Sequence, residues 1–297
     1  MALLGKQIKT LNSKAEQTPD LVKNIIIDDF FSAALRRRVK IEVMLPPWYN
    51  EVPNYHFPVL YLNDGQTLRH VRIYETLMDA YSRNLIPPII IVGIHAANRM
   101  QEYGVAGVPD FKKRGAKADK YTRFITHELR NLINANFRTL NHAKFNMIAG
   151  YSLGGLSAFD IAFHHPESFS CAGVFSGSFW WRSKAYNDGY NEATDRIMHQ
   201  VIRQATVTPP VRFWFQCGTH DEIADRNAND VIDAIDDTLD IIQDLKHLGF
   251  SAGDEVQYVE VVNGFHNEAT WADVMPLFLT WAFNGEEGNV HSAAPTS

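Results

Sequence analysis

Compact apolar runs recur along the chain, separated by stretches whose hydrophobic residues fall at helical spacing. NIIIDDFF (24–31) and RVKIEVMLP (38–46) read as two antiparallel strands joined by a short turn. PVLYLND (58–64), PIIIVGI (88–94), FNMIAGY (145–151), CAGVFSG (171–177), VRFWFQCG (211–218) and EVQYVEVV (255–262) are continuous rather than alternating, as in parallel strands covered on both faces. Residues 118–135 place Tyr121, Ile125, Leu129 and Leu132 along one helical face. Residues 228–248 do the same with Val231, Ile235, Leu239, Ile242, Leu245 and Leu248. Residues 155–164 and 270–283 supply two more helices. This order predicts the α/β class: a doubly wound, mostly parallel sheet with antiparallel N-terminal strands. The expected organisation is an N-terminal extension (1–22), one domain (23–284) and a polar C-terminal tail (285–297), with 11–20 and 284–297 as loose polar segments.

Composition narrows the function classes. A chain of 297 residues can bury a core without disulfide or metal staples, and 45% hydrophobic with 21% charged residues describes a globular protein. The net charge of −6 gives no basic footprint for nucleic acid or an anionic membrane. Cys171 and Cys217 lie in strand-like runs and read as buried, inert thiols. The N-terminus lacks a signal-like apolar region, and no apolar run reaches membrane-spanning length, so a cytoplasmic location is expected. The composition is compatible with a homo-oligomer.

The segment FNMIAGYSLGGLSAFDIAF carries the chemistry. An apolar strand runs into Gly150-Tyr151-Ser152-Leu153-Gly154, which satisfies G-x-S-x-G, and an amphipathic helix follows. The five-residue pattern alone is weak; its place between strand and helix makes it the nucleophile elbow of an α/β-hydrolase fold. Glycines flank the serine because strand and helix approach too closely there for side chains.

A serine hydroxyl becomes nucleophilic only when a histidine takes its proton, and a carboxylate must orient that histidine. In this fold the chain order is serine, acid, histidine, at the ends of strands. The loop CGTHDEIADRN offers Asp221 as the acid, with Glu222 and Asp225 as alternatives. The loop NGFHNEATW offers His266 as the base. Two backbone N–H groups must meet the tetrahedral oxygen. Leu153 supplies one, and Gln66 in VLYLNDGQTL the other, with Gly65 turning the loop toward the site.

With VLYLNDGQ, AGYSLGG, CGTHDE and GFHN in this order, the chain resembles a family of α/β-hydrolase esterases. Its members include enterochelin esterases, S-formylglutathione hydrolases, feruloyl and acetyl-xylan esterases and mycobacterial mycolyltransferases. LPPWY (45–49), RMQEYG (99–104), KADKYTRFITHEL (117–129), FRTL (137–140) and FSGSFWW (175–181) are similar to the enterochelin-esterase-like branch. The resemblance covers about residues 25 to 283. It implies triad roles for Ser152, Asp221 and His266, oxyanion roles for Gln66 and Leu153, and a cleft lined by Arg99, Tyr103, Trp180 and Trp181. A buried tryptophan pair and an Arg99–Glu102 contact would serve structure instead. The expected function is a serine carboxylic ester hydrolase for a small or medium ester of short-acyl, aromatic-acyl, acetylated-sugar or siderophore type. Acyl transfer and non-catalytic binding are the alternatives. No cofactor is implied, and no metal-ligand motif occurs. DRNANDVIDAID (225–236) sets Asp225, Asn227, Asn229, Asp233 and Asp236 near calcium-loop spacing, but an acid-rich helix start with an Asn cap accounts for it equally well.

Overall fold

The structure is a computed structural model that describes residues 8–10 and 22–283. Nine strands of the described residues form one sheet: β1 (Ile8–Thr10), β2 (Lys23–Ser32), β3 (Arg37–Leu45), β4 (Val59–Asn63), β5 (Ile90–Ile94), β6 (Asn146–Tyr151), β7 (Cys171–Phe175), β8 (Arg212–His220) and β9 (Val256–Phe265). Their spatial order is β1-β2-β3-β5-β4-β6-β7-β8-β9. β1, β2, β3 and β5 pair antiparallel, and β5 through β9 run parallel. The expected strands are all present within a few residues of their predicted limits. β1 is an addition: part of the segment read as an extension hydrogen-bonds to β2, Ile8 opposite Ile27. The expected loose segments 11–20 and 284–297 lie outside the described residues.

The helices are α1 (Ile73–Ser82), α2 (Arg99–Glu102), α3 (Ala118–Arg123), α4 (Arg130–Asn136), α5 (Leu153–His164), α6 (Glu192–Asp195), α7 (Ile197–Gln204), α8 (Asp233–Leu248) and α9 (Glu268–Phe283). β4 to β7 are buried along their whole lengths, because helices cover both faces. On one face Leu77, Trp271 and Phe278 of α1 and α9 pack on Leu62, Tyr151 and Trp214. On the other, Tyr121, Phe159 and Ile241 pack on Tyr61, Ile148 and Phe215. Each fully buried aliphatic or aromatic side chain contributes about 1.5–3 kcal/mol.

The helix over 118–135 exists, but Phe124–Leu129 between α3 and α4 is a π-helical segment. Its predicted face is correct: Tyr121, Ile125, Leu129 and Leu132 are all buried. α8 starts at Asp233 rather than 228, and Leu239 points outward at 42% exposure. The reason is electrostatic: Asp237 turns inward to meet Arg196 at 2.7 Å and Arg226 at 2.6 Å, which rotates the buried face away from Leu239. Cys171 and Cys217 are buried free thiols, and burial pushes Cys171 up to about 12. No helix of the described residues is long and apolar enough to cross a membrane.

Candidate active site

Ser152 follows β6 directly and precedes α5, with φ 54° and ψ −121°. A non-glycine residue at positive φ is strained, and the surrounding close packing holds it there. Ser152 N–H donates to the Phe175 carbonyl (2.8 Å), and its own carbonyl accepts from Gly155, Leu156 and Ser178 N–H groups. A Cβ on Gly150 would run into the Gly154 carbonyl, and one on Gly154 would come 2.8 Å from an Asp64 carboxylate oxygen. The serine side chain makes no helix-capping bond; its Oγ lies 3.3 Å from Ser178 Oγ. Leu153 opens α5, so its N–H is a first-turn donor the helix cannot satisfy internally.

The loop after β4 is built around Asp64, at φ 61° and almost fully buried. Arg99 of α2 donates to both of its carboxylate oxygens, at 2.7 and 2.9 Å. Gln66 Nε2 donates to the same carboxylate at 2.9 Å, and the Asp64 N–H donates to Tyr103 Oη at 3.0 Å. Asn63 Nδ2 donates to the Gly154 carbonyl (2.8 Å) while accepting from Tyr121 Oη (2.6 Å), which ties this loop to the elbow. Gly65 is required: a Cβ there would sit 2.5 Å from the Gly93 backbone carbon. Gln66 itself is exposed at the rim.

Asp221 follows β8 and His266 follows β9. Gly218 and Gly264 bring the two loops together, since a Cβ on Gly218 would overlap the Gly264 carbonyl. Burial raises the Asp221 pKa, while the Gly218 backbone, the Ser176 hydroxyl and the His266 ring pull it back down. Both Asp221 oxygens are buried and lack a well-aligned hydrogen-bond partner among the described residues. The Gly218 and Ser176 contributions are therefore proximity effects rather than formed bonds. Surrounding protein lowers the His266 pKa, Asp221 raises it, Arg99 lowers it further and Glu268 raises it. His266 keeps an exposed edge, so this lowering is screened. Glu222 has its pKa raised, chiefly by burial and then by the charge of Asp233. Asp225 accepts from the N–H groups of Asn229 and Asp230. Of the three acidic candidates, Asp221 alone acts on the His266 pKa.

Trp271 lies between His266 and the elbow. Its ring stacks on Tyr151 (centroids 4.8 Å, 21°) and meets His266 edge-on (5.4 Å, 79°). Its indole Nε1 donates to Ser176 Oγ at 2.9 Å. Trp271, Ser176 and Ser178 were missed as site residues. Ser176 and Ser178 lie in the FSGSFWW block noted only for its resemblance, and Trp271 reads as ordinary helix core.

The expected cleft lining needs correction. Tyr103 and Trp181 are fully buried, so neither is available to a ligand. Tyr103 braces Asp64, and Trp181 packs against Gly104 and Gly115. Arg99 pairs with Asp64, whereas Glu102 is held by Arg37 at 2.6 Å. Trp180 is half-exposed, with the Arg114 guanidinium 5.1 Å from its ring centroid. In 225–236, Asp236 accepts from Asn227 and Asn229, and Asp233 from Arg226 N–H. The residue before α8 is Ile232, which makes no side-chain cap, so these groups knit the loop instead of capping the helix. No group of three or more His, Cys, Asp or Glu among the described residues is placed to hold a metal.

A strained serine between a parallel strand and its helix, with later loops converging beside it, is the organisation of the α/β-hydrolase fold. A model of the "Putative esterase" family matches residues 32–280, and the chain belongs to that family. It is 30% identical over 150 residues to YbbA of Bacillus subtilis (strain 168), covering 49% of this chain and 59% of that protein. It is 29% identical over 125 residues to the iron(III) enterobactin esterase of Escherichia coli (strain K12), covering 42% of this chain and 29% of that protein. The chain thus matches less than two thirds of each. A solved ferulic acid esterase superposes with a TM-score of 0.69 at 17% identity, over 90% of this chain and 99% of that one, a likeness of fold.

Proposed function

We propose that the chain hydrolyses carboxylic esters through an acyl-enzyme on Ser152, with His266 as base and Asp221 as its partner. The observation that carries this reading is Ser152 itself: held at φ 54° above a helix N-terminus, with its hydroxyl spent on no capping bond. His266 takes the Ser152 Oγ proton as that oxygen attacks the ester carbonyl carbon. The oxyanion is met by the N–H groups of Leu153 and Gln66, aided by the positive end of α5. On collapse, the imidazolium gives its proton to the departing alcohol. His266 then deprotonates a water that attacks the acyl-serine and releases the acid. Asp221 fixes the imidazole tautomer and stabilises the transient imidazolium. The lowered His266 pKa supports the neutral, proton-accepting form at neutral pH.

The substrate is a small or medium ester that enters over the carboxyl ends of the strands, with Trp180 at hand for an aromatic or sugar face. The relatives' names, an enterobactin esterase and a ferulic acid esterase, support that range. The test is p-nitrophenyl acetate turnover at neutral pH by the parent protein, Ser152→Ala and His266→Ala. The proposal expects loss of at least about a thousandfold in kcat in both variants. Parent-like turnover by His266→Ala would overturn the base assignment.

A further inference from the structure

β8 and β9 pair in straight register only as far as Gly218, which lies opposite Val261; the next pair is His220 with Phe265. Between those pairs β8 advances by Thr219 and His220, whereas β9 advances by Val262, Asn263, Gly264 and Phe265. The surplus is a β-bulge, a feature rare between parallel strands and concentrated beside functional sites, where it re-aims side chains. In straight register Gly264 would lie opposite Asp221, and His266 would leave the sheet two residues further on, roughly 6–7 Å out of level. With the bulge, Asp221 and His266 each directly follow a member of the same pair, on neighbouring strands about 4.8 Å apart.

The bulge is held on both sides. Asn263 takes φ 58°, a left-handed conformation that asparagine tolerates better than most residues. Its N–H donates to Thr219 Oγ1 at 2.8 Å, so the bulged segment is tied to the β8 residue it spans. Gly264 has no room for a side chain: a Cβ there would sit 2.8 Å from Val261 Cβ and 2.9 Å from Thr270 Cγ2. Just past the bulge, the Phe265 N–H donates to Thr270 Oγ1 of α9 at 2.9 Å. The Phe265 ring stacks on His220, with centroids 5.2 Å apart and planes at 29°. Phe265 is 54% exposed and lies outside the core, so its ring is engaged with the residue that precedes Asp221, while it itself precedes His266.

We propose that this bulge aligns the acid and base of the site, with Thr219, His220, Asn263 and Phe265 as positioning residues that bring His266 level with Asp221. They act through those two side chains, so the catalytic consequence rests on the roles proposed above for Asp221 and His266. Thr219→Val keeps the branched shape but removes the acceptor of the Asn263 N–H, and Thr219→Ser retains it. Phe265→Ala removes the stacked ring from an exposed position. The readout is the titration of the His266 ring by NMR, its resonances assigned by their absence in His266→Ala. Burial lowers the His266 pKa; of the charged groups that face it, Asp221 raises it, Arg99 of α2 lowers it and Glu268 of α9 raises it. Only Asp221 is placed by the bulge, so the midpoint should fall in Thr219→Val and Phe265→Ala toward that of Asp221→Asn, while Thr219→Ser stays with the parent. Thr219→Val/Asp221→Asn should titrate as Asp221→Asn alone. Parent-like midpoints in both variants, or the same displacement with and without Asp221, overturn the proposal. An unchanged midpoint in Asp221→Asn also overturns it, since there is then no pair to align. On p-nitrophenyl acetate, kcat of Thr219→Val should fall about 10–100-fold with KM within about twofold. Parent-like kcat in that variant of an active parent overturns the proposal whatever the midpoint. A parent that does not turn over this ester, or turnover that survives in Ser152→Ala, defeats the hydrolase reading by itself, and the titration still decides the bulge.

Discussion

Arg99→Met tests how the loop that carries Gln66 is held. The substitution keeps the side-chain stem but removes both charge-assisted bonds to Asp64, at 2.7 and 2.9 Å. Removing one partner of a fully buried ion pair costs about 3–5 kcal/mol, because the remaining charge is stranded. Asp64 is 3% exposed and Arg99 36%, so water screens part of this interaction. The expected cost is about 2–3 kcal/mol. It should appear as a lower urea midpoint with an unchanged slope. Arg99→Met/Asp64→Asn leaves no stranded carboxylate and should recover roughly half of the loss. Function responds as well. A relaxed Asp64 frees the loop that carries Gln66, and in the oxyanion role proposed for Gln66 its displacement costs about 100-fold or more in kcat. We expect kcat on p-nitrophenyl acetate to fall about 10–100-fold with little change in KM. A variant within about 0.5 kcal/mol of the parent and with parent-like kcat would refute the reasoning. A rise in KM alone would place Arg99 on the substrate instead.

Three further predictions concern the same site. Gly150→Ala forces a methyl group into the Gly154 carbonyl, so α5 must shift from β6. Destabilisation of about 1–3 kcal/mol or more, with loss of esterase activity, is the expected thermal-melt and kinetic result. Because the His266 pKa is lowered, the neutral base persists as pH falls, and the acid limb of kcat/KM should lie below pH 6.5. Glu268 raises that pKa, so Glu268→Gln should move the limb lower; a limb moving upward in the pH profile would contradict the assignment. Trp271→Phe keeps the ring stacked on Tyr151 but deletes the 2.9 Å donation to Ser176. It should cost about 1 kcal/mol in denaturant unfolding and lower kcat several-fold.

Much of the fold was legible because its signals are local. Short continuous runs such as Val59–Asn63 and Asn146–Tyr151 fit strands covered on both faces, and the structure buries every residue of both. The elbow was legible for the same reason: strand, glycine, serine and helix are neighbours in sequence. What escaped depends on partners far along the chain. Nothing near Leu239 shows that Asp237 will be drawn inward by Arg196 and Arg226. Tyr103 and Trp181 look like ligand-facing aromatics until the fold places Asp64 beside one and Gly104 and Gly115 beside the other. Trp271 lies on an apolar helix and gains its place beside the site only once α9 packs Tyr151 and His266 against it. The short β1 carries too few residues to show a period and is fixed by its pairing with β2.

In the proposed mechanism one serine oxygen, activated by the imidazole of residue 266, forms the covalent bond to substrate. Reaction with a fluorophosphonate, followed by intact-mass and peptide mass spectrometry, reads this directly. One adduct per chain is expected, located on Ser152, absent from Ser152→Ala and formed far more slowly by His266→Ala. A stoichiometric adduct on another residue, or parent-rate labelling of His266→Ala, would contradict it.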